Sequence, residues 1–324
     1  MKIKRHFLLV LAFISAFIIT GCGNNETDSG IKIVCTSFPQ YDWAKQICKD
    51  VENVDIKLLT DNGVDLHNYQ PTAKDIIDIK ESDLFIYEGV QTDSWVEDVL
   101  IDKEENQCIN MIDSIGDRAL EVCAEEFTDG HQLDETSEKE HDLHSENLEE
   151  HNHHHSLDEH VWMSLTNADI ICKEISKKLC SLDKDNKDIY TNNENQYSKQ
   201  LNDLNEQYEN TVKNSLRNKI LVGDRFPYAY LFKDYNLDYL AAFSGCGAES
   251  EASFETIAYL SKELDKEDLP AVIVSETSDK KVAESIIDNS NDKNKKIFVL
   301  NSIQSISKSD IQNNVSYYSI MNNN

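Results

Sequence analysis

Glycine and proline are scarce in this chain of 324 residues, at 10 and 4 respectively. That shortage excludes collagen-like and Pro/Gly-rich low-complexity chains, and it leaves few places for a glycine-rich phosphate cradle. Neither GxxxxGK[ST] nor GxGxxG occurs, and HExxH and GxSxG are missing as well, so the common nucleotide-binding, zinc-protease and serine-hydrolase signatures are absent. Positive charge is short too: 31 Lys and Arg face 60 Asp and Glu, a formal net charge of −29. Nucleic acid is excluded as a partner, because each phosphate contact needs a cation and the field of the whole protein would repel a polyanion. A cation suits such a field. The 40% of residues that are apolar are enough to build real cores.

Long hydrophobic runs are confined to the N-terminus. Lys2, Lys4 and Arg5 precede an apolar run from Phe7 to Ile19, which is too short for a comfortable membrane span and reads as a secretory signal over residues 1–21. Ile19-Thr20-Gly21-Cys22 resembles the bacterial lipobox, so Cys22 is expected to be acylated and residues 22–30 to form a polar tether. An exported chain invites disulfides, yet the seven cysteines after Cys22 are odd in number and include no CxxC pair. Cys172 shares a helical stripe with Ala168, Ile171, Ile175 and Leu179, as a small buried hydrophobe would. At most one disulfide is expected.

Further along, strand-like and helix-like segments alternate. Ile31 to Val34, Val54 to Leu59 and Leu84 to Tyr87 read as strands, with helical spacing over Tyr41 to Val51 and Thr72 to Lys80 between them. The same alternation returns through Ile220–Val222, Tyr239–Phe243, Val272–Val274 and Ile297–Leu300. This predicts an α/β fold of two lobes with mostly parallel sheets, over residues 31–185 and 218–324. Between them, Thr166 to Asn218 contains neither Gly nor Pro. Tyr190, Tyr197, Leu201, Leu204, Tyr208 and Val212 place one apolar stripe on a long helix over 186–217, expected to join the lobes as a rigid bridge.

The segment 128–159 differs in kind. Eight of the ten histidines lie between His131 and His160, among many acids and no aromatic residue, so it reads as a solvated loop that cannot bury a core. His131, His141, His144, His151, His153, His154 and His155 make a loose, exchangeable trap for divalent transition metals. Two other histidines stand at edges of structure: His67 in Asp65-Leu66-His67-Asn68-Tyr69-Gln70-Pro71-Thr72, and His160 in Asp158-Glu159-His160-Val161-Trp162.

Taken in order, these features resemble one family over residues 31–320: the metal-binding lipoproteins of bacterial ABC importers for zinc and manganese, the cluster A-I solute-binding proteins. The matching stretches are the lipobox, Thr36-Ser37-Phe38-Pro39-Gln40-Tyr41-Asp42-Trp43, Asp65-x-His67-x-Tyr69-x-Pro71-Thr72, Ser82 to Gly89, Trp95-Val96-Glu97, and Asp158 to Leu165 followed by Asn167-Ala168. The resemblance implies a metal cleft between the lobes, with His67 and His160 as ligands. A His-rich insertion accompanies zinc rather than manganese in that family. Arg225 and Asn301 fall where the family carries its two C-terminal ligands, so Asp224 and Glu276 are the candidates to replace them, with Asn301, Glu249 and Glu251 as accessory groups.

The expected function is an extracytoplasmic receptor, lipid-anchored and monomeric, that passes Zn2+ to the permease of an ABC importer and catalyses nothing. The alternatives are a Mn2+ receptor of the same family, a metal-buffering lipoprotein in which only the His-rich loop matters, and, least favoured, a zinc hydrolase with Glu276 or Glu251 as general base. Imidazole ligands must be neutral to bind. Zinc affinity is therefore expected to fall steadily between about pH 7 and about pH 5, as ordinary imidazoles titrate; titration at fixed ionic strength checks this, and a flat profile would contradict it.

Overall fold

Short apolar runs separated by helices can pair side by side only through crossover connections, which makes the strands parallel. The computed structural model describes residues 30–61, 63, 66–90, 94–101, 103–104, 107–122, 156–243 and 252–324. Its first sheet is built from β1 (Ile31–Cys35), α1 (Phe38–Ile47), β2 (Val54–Leu58), α2 (Ala73–Glu81), β3 (Leu84–Tyr87), α3 (Ser94–Leu100), β4 (Cys108–Asn110) and α4 (Met111–Ile115). Strand order is β2-β1-β3-β4, parallel throughout. A short antiparallel pair follows, β5 (Glu121–Val122) with β6 (Ser156–Leu157), so the residues that flank the His-rich segment lie on adjacent strands.

Next come α5 (Leu165–Leu182) and α6 (Lys187–Lys213). The second sheet uses β7 (Lys219–Val222), α7 (Ala229–Asp234), β8 (Asp238–Ala241), α8 (Phe254–Lys266), β9 (Ala271–Val274), α9 (Lys281–Asp288) and β10 (Lys296–Val299). Its order is β10-β9-β7-β8, again parallel. Helices α10 (Lys308–Gln312) and α11 (Tyr317–Asn323) close the described chain.

The stretch without Gly or Pro folds as two helices, because an aspartate makes the break. Asp183 Oδ1 accepts the backbone N–H groups of Asp185 and Asn186, each at 3.2 Å, and its Oδ2 accepts from Tyr190 Oη at 3.0 Å. A side chain that satisfies the next backbone donors competes with helix continuation as a glycine would. Helix α6 then presents the expected stripe, with Tyr190, Tyr197, Leu201 and Leu204 buried. It touches both ends of the fold: Asn193 Nδ2 donates to Ile47 O at 3.0 Å, and Asn205 Oδ1 accepts from Tyr235 Oη at 2.8 Å.

Residues Ile31–Asn324 form one compact unit. The two sheets thus share a core, which joins Ile33 and Trp162 to Val222, Phe232 and Tyr317; a smaller cluster around Leu221, Leu264, Val274 and Ile286 belongs to the second sheet. Cys35, Cys48, Cys108, Cys172 and Cys180 are free thiols, and burial, helped by the nearby Asp183 carboxylate, pushes Cys48 up to about 12, which leaves it inert. Cys22, Cys123 and Cys246 lie outside the described residues.

Helix α2 is started by a reciprocal cap between Thr72 and Asp75, and Lys57 of β2 reaches Asp75 at 2.7 Å. Burial opposes ionisation of Asp75, but hydrogen bonds from Lys57 and Thr72 outweigh it and lower its pKa from 3.8 to about 2. A carboxyl more acidic in the folded than the unfolded chain stabilises above its unfolded pKa and loses that effect as pH falls toward its folded value. Asp75→Asn is therefore expected to cost roughly 2 kcal/mol at neutral pH. In urea unfolding the gap to the parent should close as the pH approaches about 2, and a pH-independent gap would contradict this account.

Candidate metal centre

Ligands of parallel α/β folds gather at the carboxyl ends of strands, where loops converge and helices begin. His67 lies there, on a 3₁₀ turn (Leu66–Asn68) in the connection leaving β2. His160 follows β6 and precedes a second 3₁₀ turn (Val161–Met163). From the other sheet, Gln304 lies just beyond β10.

Both imidazoles are locked from behind. Asp158 Oδ1 accepts the backbone N–H of His160 at 2.8 Å and lies 2.9 Å from its Nδ1; Glu159 Oε1 lies 2.8 Å from Nδ1 of His67. A carboxylate only accepts, so each ring carries its proton on Nδ1 and turns the Nε2 lone pair the other way. Ring centroids are 5.6 Å apart, and both Nε2 atoms face one atom, Gln304 Nε2, at 2.8 Å from His67 and 2.7 Å from His160. Carboxylates behind the rings also make the imidazoles better electron donors.

The surroundings hold this arrangement still. His160 is buried, and Trp162 packs edge-on against it with centroids 5.3 Å apart. Trp162 Nε1 donates to Ser302 O at 2.9 Å, and Tyr317 Oη donates to Trp162 O at 2.6 Å. Tyr230 Oη donates to Asp158 O at 2.9 Å. Tyr230 from helix α7 and Tyr317 from helix α11 thus brace the backbone on both sides of His160. Among the described residues, His67, Glu159 and His160 are the one group of three His, Cys, Asp or Glu whose ligand atoms lie within 4.8 Å of one another. The two imidazole Nε2 atoms, with Glu159 held against Nδ1 of His67, are donors that fit a divalent transition metal.

The carboxylates expected from the second sheet do not join that group. Asp224 accepts from Ser275 N at 3.0 Å and Ser275 Oγ at 2.6 Å, and from Arg225 N at 2.8 Å. Glu276 accepts from Ser302 N at 2.7 Å and from Ser302 Oγ at 3.0 Å. Asn301 builds a turn: its Oδ1 accepts from Ile303 N at 2.8 Å, and Asn324 Oδ1 accepts from its N–H at 2.9 Å. Glu249, Glu251 and the histidines from His131 to His155 lie outside the described residues. Sequence reasoning missed Asp158 and Glu159 as orienting groups, although both adjoin His160, and it missed Gln304. A search restricted to acids and histidines passes over an amide. The signal available was the position of Gln304, a few residues beyond the last strand.

Residues 33–324 match the family described as zinc-uptake complex component A, periplasmic, ZnuA. The chain belongs to this family. It is 30% identical to the high-affinity zinc uptake system protein ZnuA of Bacillus subtilis over 98% of this chain and 94% of that one. It is 29% identical to the zinc-binding lipoprotein AdcA of Streptococcus pneumoniae, across 98% of its own length but only 59% of AdcA. The crystal structure of the metal-dependent lipoprotein YcdH of B. subtilis superimposes with a TM-score of 0.69, at 26% identity, over 91% of this chain and 96% of that one. The Zn(II)-bound ZnuA-like domain of S. pneumoniae AdcA, at 23% identity and a TM-score of 0.66 over 91% and 96% of the two chains, shares the fold. No helix among the described residues is long and apolar enough to cross a membrane.

If the Asp158 carboxylate holds the His160 tautomer, Asp158→Asn is expected to weaken zinc binding by about 10–100-fold while the far-ultraviolet spectrum stays that of the parent. Competition against a chromogenic chelator measures it, and unchanged affinity would show that the ring needs no such support.

Proposed function

We propose that this protein is the zinc receptor of an ABC importer, held on the extracytoplasmic face of the membrane by acyl chains on Cys22. The observation that carries the reading is the convergence of the His67 and His160 Nε2 lone pairs on one point, each with its Nδ1 proton engaged by a carboxylate. Neutral imidazoles so arranged form a preorganised site for a borderline-soft cation, and membership of the zinc-uptake family supports the same cargo. Manganese would gain more from oxygen donors than from two ring nitrogens, so zinc is the preferred ion. The role is binding and transfer to a permease, with no bond made or broken.

In this reading the His-rich segment collects ions weakly, through imidazoles that act as exchangeable ligands. Its ends are the paired strands β5 and β6, and the second leads directly into Asp158. Captured ions are therefore delivered beside the tight site. The protein acts as a monomer.

His67→Ala combined with His160→Ala is expected to abolish one tight zinc site while leaving weak binding by the His-rich segment. Calorimetry with a competing chelator separates the two, and deletion of residues 131–157 should give the opposite pattern. Loss of nearly all binding on that deletion, with the double variant unaffected, would instead identify a metal buffer.

A further inference from the structure

Gln304 makes contacts that a structural amide does not need. Its Nε2 donates to two imidazole lone pairs at once, at 2.8 and 2.7 Å, and these are the same lone pairs that an ion would use. Zinc bonds an imidazole nitrogen at about 2.0–2.1 Å, so a lone pair engaged by the ion has no place for the amide N–H. The two are mutually exclusive partners. The chain also spends conformational energy to aim this side chain. Ile303, β-branched and buried, has φ +61°, a backbone region that such residues avoid. The Asn301 side chain holds it there through the Ile303 N–H at 2.8 Å.

We infer that Gln304 sets the affinity of the site: as the ion enters, its carboxamide turns over, withdrawing the NH2 group that bridges the histidines and presenting its carbonyl oxygen as the ligand from the second sheet. This rests on the zinc-receptor reading and deepens it. The neighbouring Ser302 makes the turnover easy. Its hydroxyl lies 3.0 Å from Glu276 Oε1 and 3.1 Å from Gln304 Oε1, so two acceptors contend for one proton. After the turn the hydroxyl donates to Glu276 and accepts from the Gln304 NH2, and both contacts are satisfied.

A neutral oxygen adds no charge to the ligand set. The negative charge that balances the ion comes from Glu159 behind His67 and from Asp158 behind His160. Such a site holds zinc less tightly, and lets it go faster, than one with a carboxylate at this position. That is the compromise a carrier needs. Gln304 reaches the histidine pair from just beyond the last strand of the second sheet.

The test measures zinc and manganese affinity, and the zinc release rate in a chelator chase, for the purified full chain and for Gln304→Glu, Gln304→Ala and Ser302→Ala. Gln304→Glu is expected to bind zinc about tenfold or more tightly and to release it correspondingly slowly, because it adds ligand charge. Gln304→Ala is expected to bind about tenfold more weakly, and Ser302→Ala to weaken binding a few-fold though it touches no ion. Circular dichroism checks that each variant folds; should Gln304→Ala fail that check, the comparison of Gln304→Glu with the parent decides alone. If the Gln304 variants match the parent in affinity and release while the double histidine variant loses its tight site, only the role of Gln304 is overturned. If the double histidine variant also binds as the parent does, the receptor reading falls with it.

Discussion

A neutral imidazole has one lone pair, and everything at this site depends on where two of them point. Rings free to rotate or exchange tautomers would spread their lone pairs over many directions, and an ion would have to organise them at the expense of its own binding. Here Asp158 and Glu159 each hold one Nδ1, which settles both tautomer and orientation before any cargo arrives. The backbone contributes as well: Asp158 accepts the His160 N–H, so three consecutive residues form a self-consistent unit.

That unit would not stay in place on its own. It follows directly on β6, and side chains from helices α7 and α11 secure it. Tyr230 holds the Asp158 carbonyl, Tyr317 the Trp162 carbonyl, and the Trp162 indole the Ser302 carbonyl. Each is a long-range hydrogen bond from a buried aromatic whose body lies in the shared core. Arg118 adds an ion pair to Asp234 at 2.7 Å, and Ser164 donates to the same carboxylate. The arrangement explains why the body from Ile31 to Asn324 is one unit although it contains two separate sheets.

Much of the fold was legible along the chain. The strands at Ile31, Val54, Leu84, Lys219, Ala271 and Lys296 lie where alternating or apolar runs placed them, and the stripe from Tyr190 to Leu204 faces the core. The long helix expected from residue 186 starts at Lys187, and what ends the helix before it is an aspartate turn at Asp183 that involves no glycine or proline. At the site, His67 and His160 were singled out together by the family resemblance, and the structure brings their rings to a centroid separation of 5.6 Å. Asp224 and Glu276 were expected beside them because carboxylates at strand ends are plausible ligands. In the fold their oxygens are taken by Ser275, Arg225 and Ser302.

By itself the sequence determined the features that rest on neighbours in the chain: the acidic charge, the order of strands and helices, and the two histidines at strand-end loops. Periodicity, capping and charge are local properties and need no knowledge of what lies opposite. Only the tertiary structure decided what faces the pair. Gln304 is 237 residues from His67 and 144 from His160, and nothing along the chain links them. Their meeting depends on the core that the two sheets share, a strained turn at Ile303 and a buried indole that fixes Ser302. An amide becomes a candidate ligand only when it is found between two lone pairs.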